Sequence, residues 1–334
     1  MKTAIYGAGS IGTVLGAYIA KSGVQADLIS RNAEHIAALK ANGAHIIGTV
    51  DFLTPVTALL PSEMKDKYDI IFLATKQLDN AAVAKSLLPY LRQDGVVCTL
   101  QNGIPELSVA EAVGADRTCG CAIAWGAEIT EPGVCTLTSE PDALTFGLGA
   151  LPGGNTARLD DIAGLLKLMG TVYKEENFIG ARWSKLLINS AFSGLSAVFG
   201  CNFGDAVADK RGRLIAQKII KECIDVAAKA NIVIAPVQGK DIVKLLDYNG
   251  ALKQKISFMI IPLAIKKHKN LKASMLQDLE KGKKCEIASI NGIVCEYGKK
   301  YACPTPYNAR VVEIINGIEA GQYKPSWENL ILFD

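Results

Sequence analysis

A chain of 334 residues is long enough for two domains, each burying a core of its own. Apolar residues make up 49% and charged residues 21%, a balance that excludes a disordered, collagenous or coiled-coil protein. The formal charge of +3 is too small to imply a nucleic-acid partner, and nine cysteines without paired C-x-x-C elements or partnering histidines read as reduced cytoplasmic thiols, not as disulfides or a metal centre.

The first twenty residues combine Lys2 with an apolar, alanine-rich stretch, which is the texture of a signal peptide, but Gly7, Gly9, Gly12 and Gly16 interrupt it. Thr3-Ala4-Ile5-Tyr6 reads instead as a buried strand and Val14 to Lys21 as a helix, with G-A-G-S-I-G between them. Gln25 to Ile29 reads as a second strand. Asp69 to Ala74, Gly95 to Leu100 and Gly120 to Ala127 read as further strands, with Asn80 to Leu91 as a helix among them. Strand and helix alternating at this spacing predict a parallel, doubly wound sheet. From Cys119 to Leu148, β-prone runs broken by Glu131-Pro132-Gly133 and Glu140-Pro141-Asp142 predict an antiparallel hairpin that extends or edges the sheet. Leu151 to Asn155 reads as a loop, Ala157 to Met169 as a helix and Thr171 to Lys174 as a last strand.

Beyond Asn177 strand signals fade, and helical patterns cover Arg182 to Phe199, Arg211 to Lys229, Gly239 to Tyr248, Asp278 to Tyr297 and Pro306 to Ala320. The expected fold is therefore α/β: an N-terminal Rossmann-type, doubly wound domain over 1–177 and a C-terminal all-helical domain over 178–334. The apolar run Ile256 to Ile265 is short and carries Pro262, far from a membrane span. The basic cluster Lys266, Lys267, His268, Lys269 and Lys272 lacks interleaved aromatics and reads as a solvated loop.

Gly7-Ala8-Gly9-Ser10-Ile11-Gly12 sits between a strand and a helix, the context in which this spacing binds a dinucleotide. Gly7 makes the tight turn, Gly9 admits a pyrophosphate to the backbone, and Gly12 lets helix and strand pack. An NAD site wants an acidic side chain closing the second strand, but this strand ends Ile29-Ser30-Arg31, a better match to the 2′-phosphate of NADP; Asp27 lies earlier and by alternation faces away. A solvated surface arginine is the competing reading. Lys76 and Asn102 follow strands at the end of the sheet where ligands bind, and turn residues on loops are the plain alternative. Lys185, Asn189 and Ser193 are spaced i, i+4, i+8 in a helix too apolar for an ordinary surface, so they are expected to share a face lining a polar cleft. Glu286 falls near the start of a helix, where it is either functional or a first-turn carboxylate favoured by the dipole.

In order, G-A-G-S-I-G at 7–12, K-Q at 76–77, Q-N-G at 101–103, W-S-K-x-x-x-N at 183–189, and S-M-L-Q-D with E-I-A-S-I-N-G within 274–292 resemble the ketopantoate reductase (2-dehydropantoate 2-reductase) family. The resemblance runs from the first strand to about Gly292. It implies NADPH-dependent reduction of ketopantoate to pantoate, a step of pantothenate and coenzyme A synthesis, by a cytoplasmic enzyme whose partner is a small 2-oxo acid. It implies Lys185 as general acid, Glu286 beside the substrate hydroxyl, Asn189 and Ser274 on substrate oxygens, and Lys76 and Asn102 bracketing cofactor and carbonyl. Arg31 falls where the family carries its 2′-phosphate ligand. Ser193 stands where the family often has another substrate asparagine, and Asn270-Leu271-Lys272-Ala273 also departs from the pattern, so another small 2-oxo acid stays open as substrate. A non-catalytic NADP-binding regulatory protein is the alternative of a different class, and the set Lys185, Asn189 and Glu286 argues against it. A homodimer is compatible with each reading.

Overall fold

Short runs of Val, Ile, Leu and Phe, bounded by glycine, proline and polar residues, become strands in the first half of the chain. In chain order these are β1 (Thr3–Tyr6), β2 (Ala26–Ile29), β3 (Ala44–Gly48), β4 (Phe52–Thr54), β5 (Thr57–Leu59), β6 (Tyr68–Leu73), β7 (Leu91–Thr99), β8 (Thr118–Ile123), β9 (Ala127–Glu131), β10 (Val134–Leu137), β11 (Thr145–Gly149) and β12 (Thr171–Lys174). The helices among them are α1 (Ser10–Lys21), α2 (Ala33–Asn42), α3 (Asn80–Leu87), α4 (Glu106–Val113) and α5 (Leu159–Leu166). The computed structural model describes residues 1–237 and 239–334, and the chain divides into two units, Met1–Phe178 and Ile179–Asp334.

In the first unit the main sheet has the order β12-β11-β8-β7-β6-β1-β2-β5. Strands β5, β2, β1, β6, β7 and β8 run parallel, β11 runs antiparallel to β8, and β12 is parallel to β11. The chain winds from β1 to β2 and β5 on one side, then crosses back to β6, β7 and β8 on the other. The order therefore reverses between β1 and β6, where an open α/β sheet leaves a crevice at its strand C-termini. Alternation fills both faces. Ile5, Leu28, Ile70 and Phe72 pack with Val14, Leu15 and Ile19 of α1, while Ala4, Ile29, Ile71 and Leu73 pack with Leu87 of α3 and Val109 of α4. Each large aliphatic buried this way contributes about 1.5–3 kcal/mol relative to exposure.

The expected hairpin forms, but elsewhere. β9 and β10 pair antiparallel and belong to a second sheet, β4-β3-β10-β9, in which β3 and β10 are parallel; the main sheet is extended instead by β11 and β12. The departure begins after β8 at Ala124-Trp125-Gly126, where Gly126 N–H is taken by Ser139 Oγ at 3.0 Å. The second sheet is tied to α1 through His35, which is wholly buried. His35 Nδ1 accepts from Gly133 N–H at 3.1 Å, so Nε2 carries the proton and donates to Thr13 Oγ1 at 3.0 Å.

The second unit is helical: α6 (Phe178–Ile188), α7 (Gly194–Phe199), α8 (Phe203–Ala208), α9 (Lys210–Lys229), α10 (Ile242–Leu246), α11 (Ala251–Ala264), α12 (Ser274–Glu280), α13 (Asn291–Lys300) and α14 (Pro306–Glu319). α9 lies at its centre, burying Ile215, Ile219, Ile220, Cys223 and Val226. It starts on Asp209, whose side chain accepts from Arg211 and Gly212 N–H. Two expected helices differ from the pattern. Arg182 to Phe199 passes through a π-helical turn at Asn189–Ser193. Asp278 to Tyr297 is not continuous: after α12, Gly282 takes a φ of +65° and Gly282 N–H and Lys283 N–H close back on Leu279 and Asp278 carbonyls, a glycine stop that ends the helix. A short 3₁₀ turn at Ile287–Ser289 then precedes α13. The run containing Pro262 lies in α11, and no helix of the described residues is long and apolar enough to cross a membrane.

Candidate functional site

The register of the main sheet aligns Tyr6 with Ile29 and Leu73, and Leu73 with Thr99. The loops that follow β1, β2, β6 and β7 therefore start side by side at one edge. In the first of them the glycines have separate jobs. Gly7 has a φ of +105°, and a Cβ on it would collide with Thr75 N and Ala74 of the neighbouring loop. Gly7 N–H and Ala8 N–H both donate to Ile29 O at 2.8 Å, which pins the turn to β2. A Cβ on Gly12 would stand 2.5 Å from Gly7 O, so the helix closes on the loop only because that atom is missing. Gly9 differs. The nearest atom to a Cβ there is Gly7 O at 3.9 Å, so the space over Gly9 is open. α1 begins at the next residue with no side chain capping its first turn, leaving free N–H groups and the positive end of the helix dipole at that opening. Such an end takes an anion.

Within β2, Asp27 Oδ2 accepts from Tyr68 Oη at 2.7 Å. Burial, then this bond, pushes the Tyr68 phenol well above its ordinary range, so Tyr68 stays a phenol that donates to Asp27 at neutral pH. Asp27 is thus engaged within the sheet. Ser30 Oγ accepts from Asn32 N–H at 3.2 Å, and Asn32 in turn caps α2 through His35 N–H. Between them Arg31 is exposed and makes no ion pair among the described residues.

The loops after β6 and β7 are laced together by amides. Gln101 Nε2 donates to Thr75 O at 2.7 Å and to Asn80 Oδ1 at 2.7 Å, and Asn80 Nδ2 donates to Ser108 Oγ at 3.0 Å. Gln77 Nε2 donates to Asn102 O. Lys76, exposed, and Asn102, half-buried, are carried on this cross-linked pair of loops. Sequence reasoning singled out Lys76 and Asn102 but passed over Gln77, Asn80 and Gln101, which hold them. The available signal was an amide beside each, in K-Q and Q-N-G.

In the second unit Lys185 and Asn189 are half-buried, one α-helical turn apart. Ser193, the third residue of the expected stripe, is more deeply buried than the other two. Ser193 closes the π turn, in which hydrogen bonds run i to i+5, and it is buried, with 8% of its surface exposed. Trp183 packs edge-on against Tyr297 at 5.3 Å, fixing α6 to α13. Ser274 is exposed at the first residue of α12, next to Ala273, whose N–H reaches Ser196 Oγ of α7 at 3.3 Å. Glu286 is half-buried and lies just before the 3₁₀ turn, its carbonyl accepting from Ser289 N–H at 3.0 Å, not in the first turn of a long helix as expected. The segment it begins is bound to the π turn, because Asn291 Nδ2 donates to Ser190 O at 3.0 Å. Lys185 and Asn189 are therefore carried on a helix to which the segments bearing Ser274 and Glu286 are both hydrogen-bonded.

Comparison with known proteins gives a consistent result. Residues 3–150 match the family model of ketopantoate reductase PanE/ApbA, and residues 177–319 match its C-terminal counterpart. The chain is 29% identical over 330 residues to a 2-dehydropantoate 2-reductase of Pyrococcus horikoshii, covering 96% of this chain and 98% of the relative. It is 28% identical over 331 residues to that of Aquifex aeolicus, covering 96% and 97%. Among solved structures, a PanE/ApbA family ketopantoate reductase from Ralstonia eutropha superposes with a TM-score of 0.82 at 24% identity, over 96% of this chain and 99% of that one. D-mandelate dehydrogenase with NADH and anilino(oxo)acetate superposes with a TM-score of 0.81 at 23% identity, again over 96% and 99%. At these identities the two structures share the fold.

Proposed function

The chain belongs to the ketopantoate reductase PanE/ApbA family, and on that premise we propose that it reduces ketopantoate to pantoate with NADPH, a cytoplasmic step of pantothenate and coenzyme A biosynthesis. The observation that carries the reading is the open backbone over Gly9 at the uncapped start of α1. A pyrophosphate fits there, because its charge meets free N–H groups and no side chain stands in its way. Bound NADPH supplies a hydride. Arg31 takes the 2′-phosphate with paired charge-assisted bonds, and Asp27, engaged by Tyr68, offers no carboxylate to repel it. Lys76 and Asn102 attend the cofactor and the reacting carbonyl.

Hydride addition turns the carbonyl oxygen into an alkoxide. The Lys185 ammonium attracts that charge as it develops and donates the proton that quenches it. Glu286 accepts from the new hydroxyl, and Asn189 and Ser274 donate to substrate oxygens. Ser193 is left out of this set because it is buried. The same residue supports a second reading, in which another small 2-oxo acid is preferred. Initial rates of NADPH and NADH oxidation with ketopantoate, pyruvate and 2-oxoisovalerate test both. The first reading expects the highest kcat/KM for ketopantoate with NADPH, the second for another acid, and no turnover with any acid removes both in favour of a regulatory nucleotide binder.

A second copy of the chain is the proposed partner. Leu252, Ile256, Met259 and Leu263 are all exposed on α11 at alternating four- and three-residue spacing, the seam of a helix pair. Light scattering on the purified protein tests it, a monomer mass counting against.

A further inference from the structure

We propose that Asn291, oriented by Asn308 and Glu222, is a positioning residue that holds the helix at Asn189–Ser193 in its π form and so aims Asn189 at the substrate; the last step rests on the substrate-binding reading of Asn189 given above. In an α-helix Gly194 N–H would donate to Ser190 O. Here it goes to Asn189 O and Ala191 O, and Asn291 Nδ2 takes the Ser190 carbonyl at 3.0 Å. A π turn inserted in an α-helix is uncommon and marks functional sites more often than chance. It persists where something outside the helix satisfies the displaced backbone group, and the Asn291 amide does so.

The amide cannot flip. Its second N–H donates to Asn308 Oδ1 at 3.0 Å, and Asn308 Nδ2 donates to Glu222 Oε2 at 2.7 Å. Glu222 is itself fixed at the start of α14, where Tyr307 N–H reaches Oε1 at 2.8 Å and Asn308 N–H reaches Oε2 at 2.9 Å. The direction of donation is therefore set from the carboxylate through two amides to the Ser190 carbonyl. Asn291 and Asn308 have no exposed surface, and Asn291 Oδ1 accepts nothing among the described residues. A buried amide with an idle acceptor is destabilising, so its donor end is what the site retains. Space for it comes from Gly194, where a Cβ would stand 3.0 Å from Asn291 Oδ1. Gly194 has ordinary helical angles, so room for the amide, not backbone freedom, calls for glycine there.

The test is a double-mutant cycle of Asn291→Leu and Asn189→Ala, read as kcat/KM for the best 2-oxo acid and as NADPH affinity, with a crystal structure of Asn291→Leu. Each single change is expected to lower kcat/KM about tenfold to a hundredfold, the worth of one or two polar contacts to a charged substrate. Asn291→Leu should add less than about threefold in the Asn189→Ala background, leave NADPH affinity within about twofold, and show Asn189–Ser193 as regular α-helix. Multiplicative losses, or a π turn intact in the variant, overturn the proposal. If Asn189→Ala leaves turnover unchanged, the substrate reading of Asn189 falls, and the aiming step falls with it; the crystal structure then decides alone whether Asn291 holds the turn. Should Asn291→Leu fail to fold, Gly194→Ala, which presses on the same amide without removing it, takes its place in the cycle and in the crystal.

Discussion

At the glycine loop the groups presented outward are backbone N–H, and the site exists because side chains are missing. Along Lys185 and Asn189 the reverse holds: the presented groups are side chains, and the backbone beneath them departs from the α-helix. The first region is made by residues within six positions of one another and the ends of adjacent strands. The second depends on amides and a carboxylate more than thirty residues away in sequence, in α9, α13 and α14. A backbone-built site is set by local geometry and concentrates its sensitivity in a few neighbouring glycines, Gly7, Gly9 and Gly12. A site built from side chains is set by distant contacts and spreads its sensitivity over many positions. The two should therefore separate in experiment, one moving cofactor affinity and the other the chemical step.

The largest expected effect is on the chemical step. Lys185→Ala should lower kcat by about 10²–10⁴-fold, the usual worth of a general acid, with NADPH affinity unchanged. Combined with Glu286→Gln it should lose less than the product of the single losses, as residues acting together do. A Lys185→Ala protein within a few-fold of the parent rate would end the assignment and the contrast with it. Gly9→Val should do the opposite, abolishing NADPH binding by fluorescence titration while the melting temperature holds, because its Cβ enters open space and not the packed core. Retained affinity in that folded variant means the loop is only a turn. Arg31→Glu is expected to weaken NADPH by about tenfold to a hundredfold, the value of a charge-assisted bond, and to leave NADH binding untouched or improved. Equal losses for both nucleotides would show that Arg31 does not read the 2′-phosphate.

The smallest effect is on stability and lies outside both sites. Burial holds His35 below its ordinary value of 6.5, so the folded protein keeps it neutral where the unfolded chain takes up a proton. Stability is therefore complete above pH 6.5 and is lost as the pH falls from there towards the folded value. Protonation would also remove the acceptor of Gly133 N–H. Melting temperatures between pH 7.5 and 5.5 should fall less steeply for His35→Gln than for the parent; equal slopes would remove His35 as the cause.

The two regions also differed in how much their residues disclosed. Strands β1 and β12 were legible to the residue, because a short apolar run between turn signals has few other uses. The glycine loop was legible for the same local reason. Strands β3, β4 and β5 were not, since they are three to five residues long and Gly48 and Pro55 interrupt the segment that holds them. Of the three, β3 also takes β10 as a partner from across the unit, while β4 pairs with β3 and β5 with β2. Lys185 and Asn189 could be marked by spacing, but the π turn at Asn189–Ser193 could not, because the amide that takes its Ser190 carbonyl is Asn291, a hundred residues on. The end of α12 at Gly282 was hidden for another reason: the lysines around it fit a helix, and only the positive φ of the glycine stops one.

The parallel pairing of β3 with β10 bears on how the chain is made. Ribosomes emit residues at about 5–20 per second, so β3 waits roughly 5–18 seconds for its partner strand to follow it. Through that interval Ile46, wholly covered in the finished protein, and the edge of β3 that β10 later takes face solvent or a chaperone. Slow synthesis lengthens that exposure, and a pause between the codons for Gly48 and Val134 would be felt as aggregation of nascent chains, with no change in the stability of those that finish.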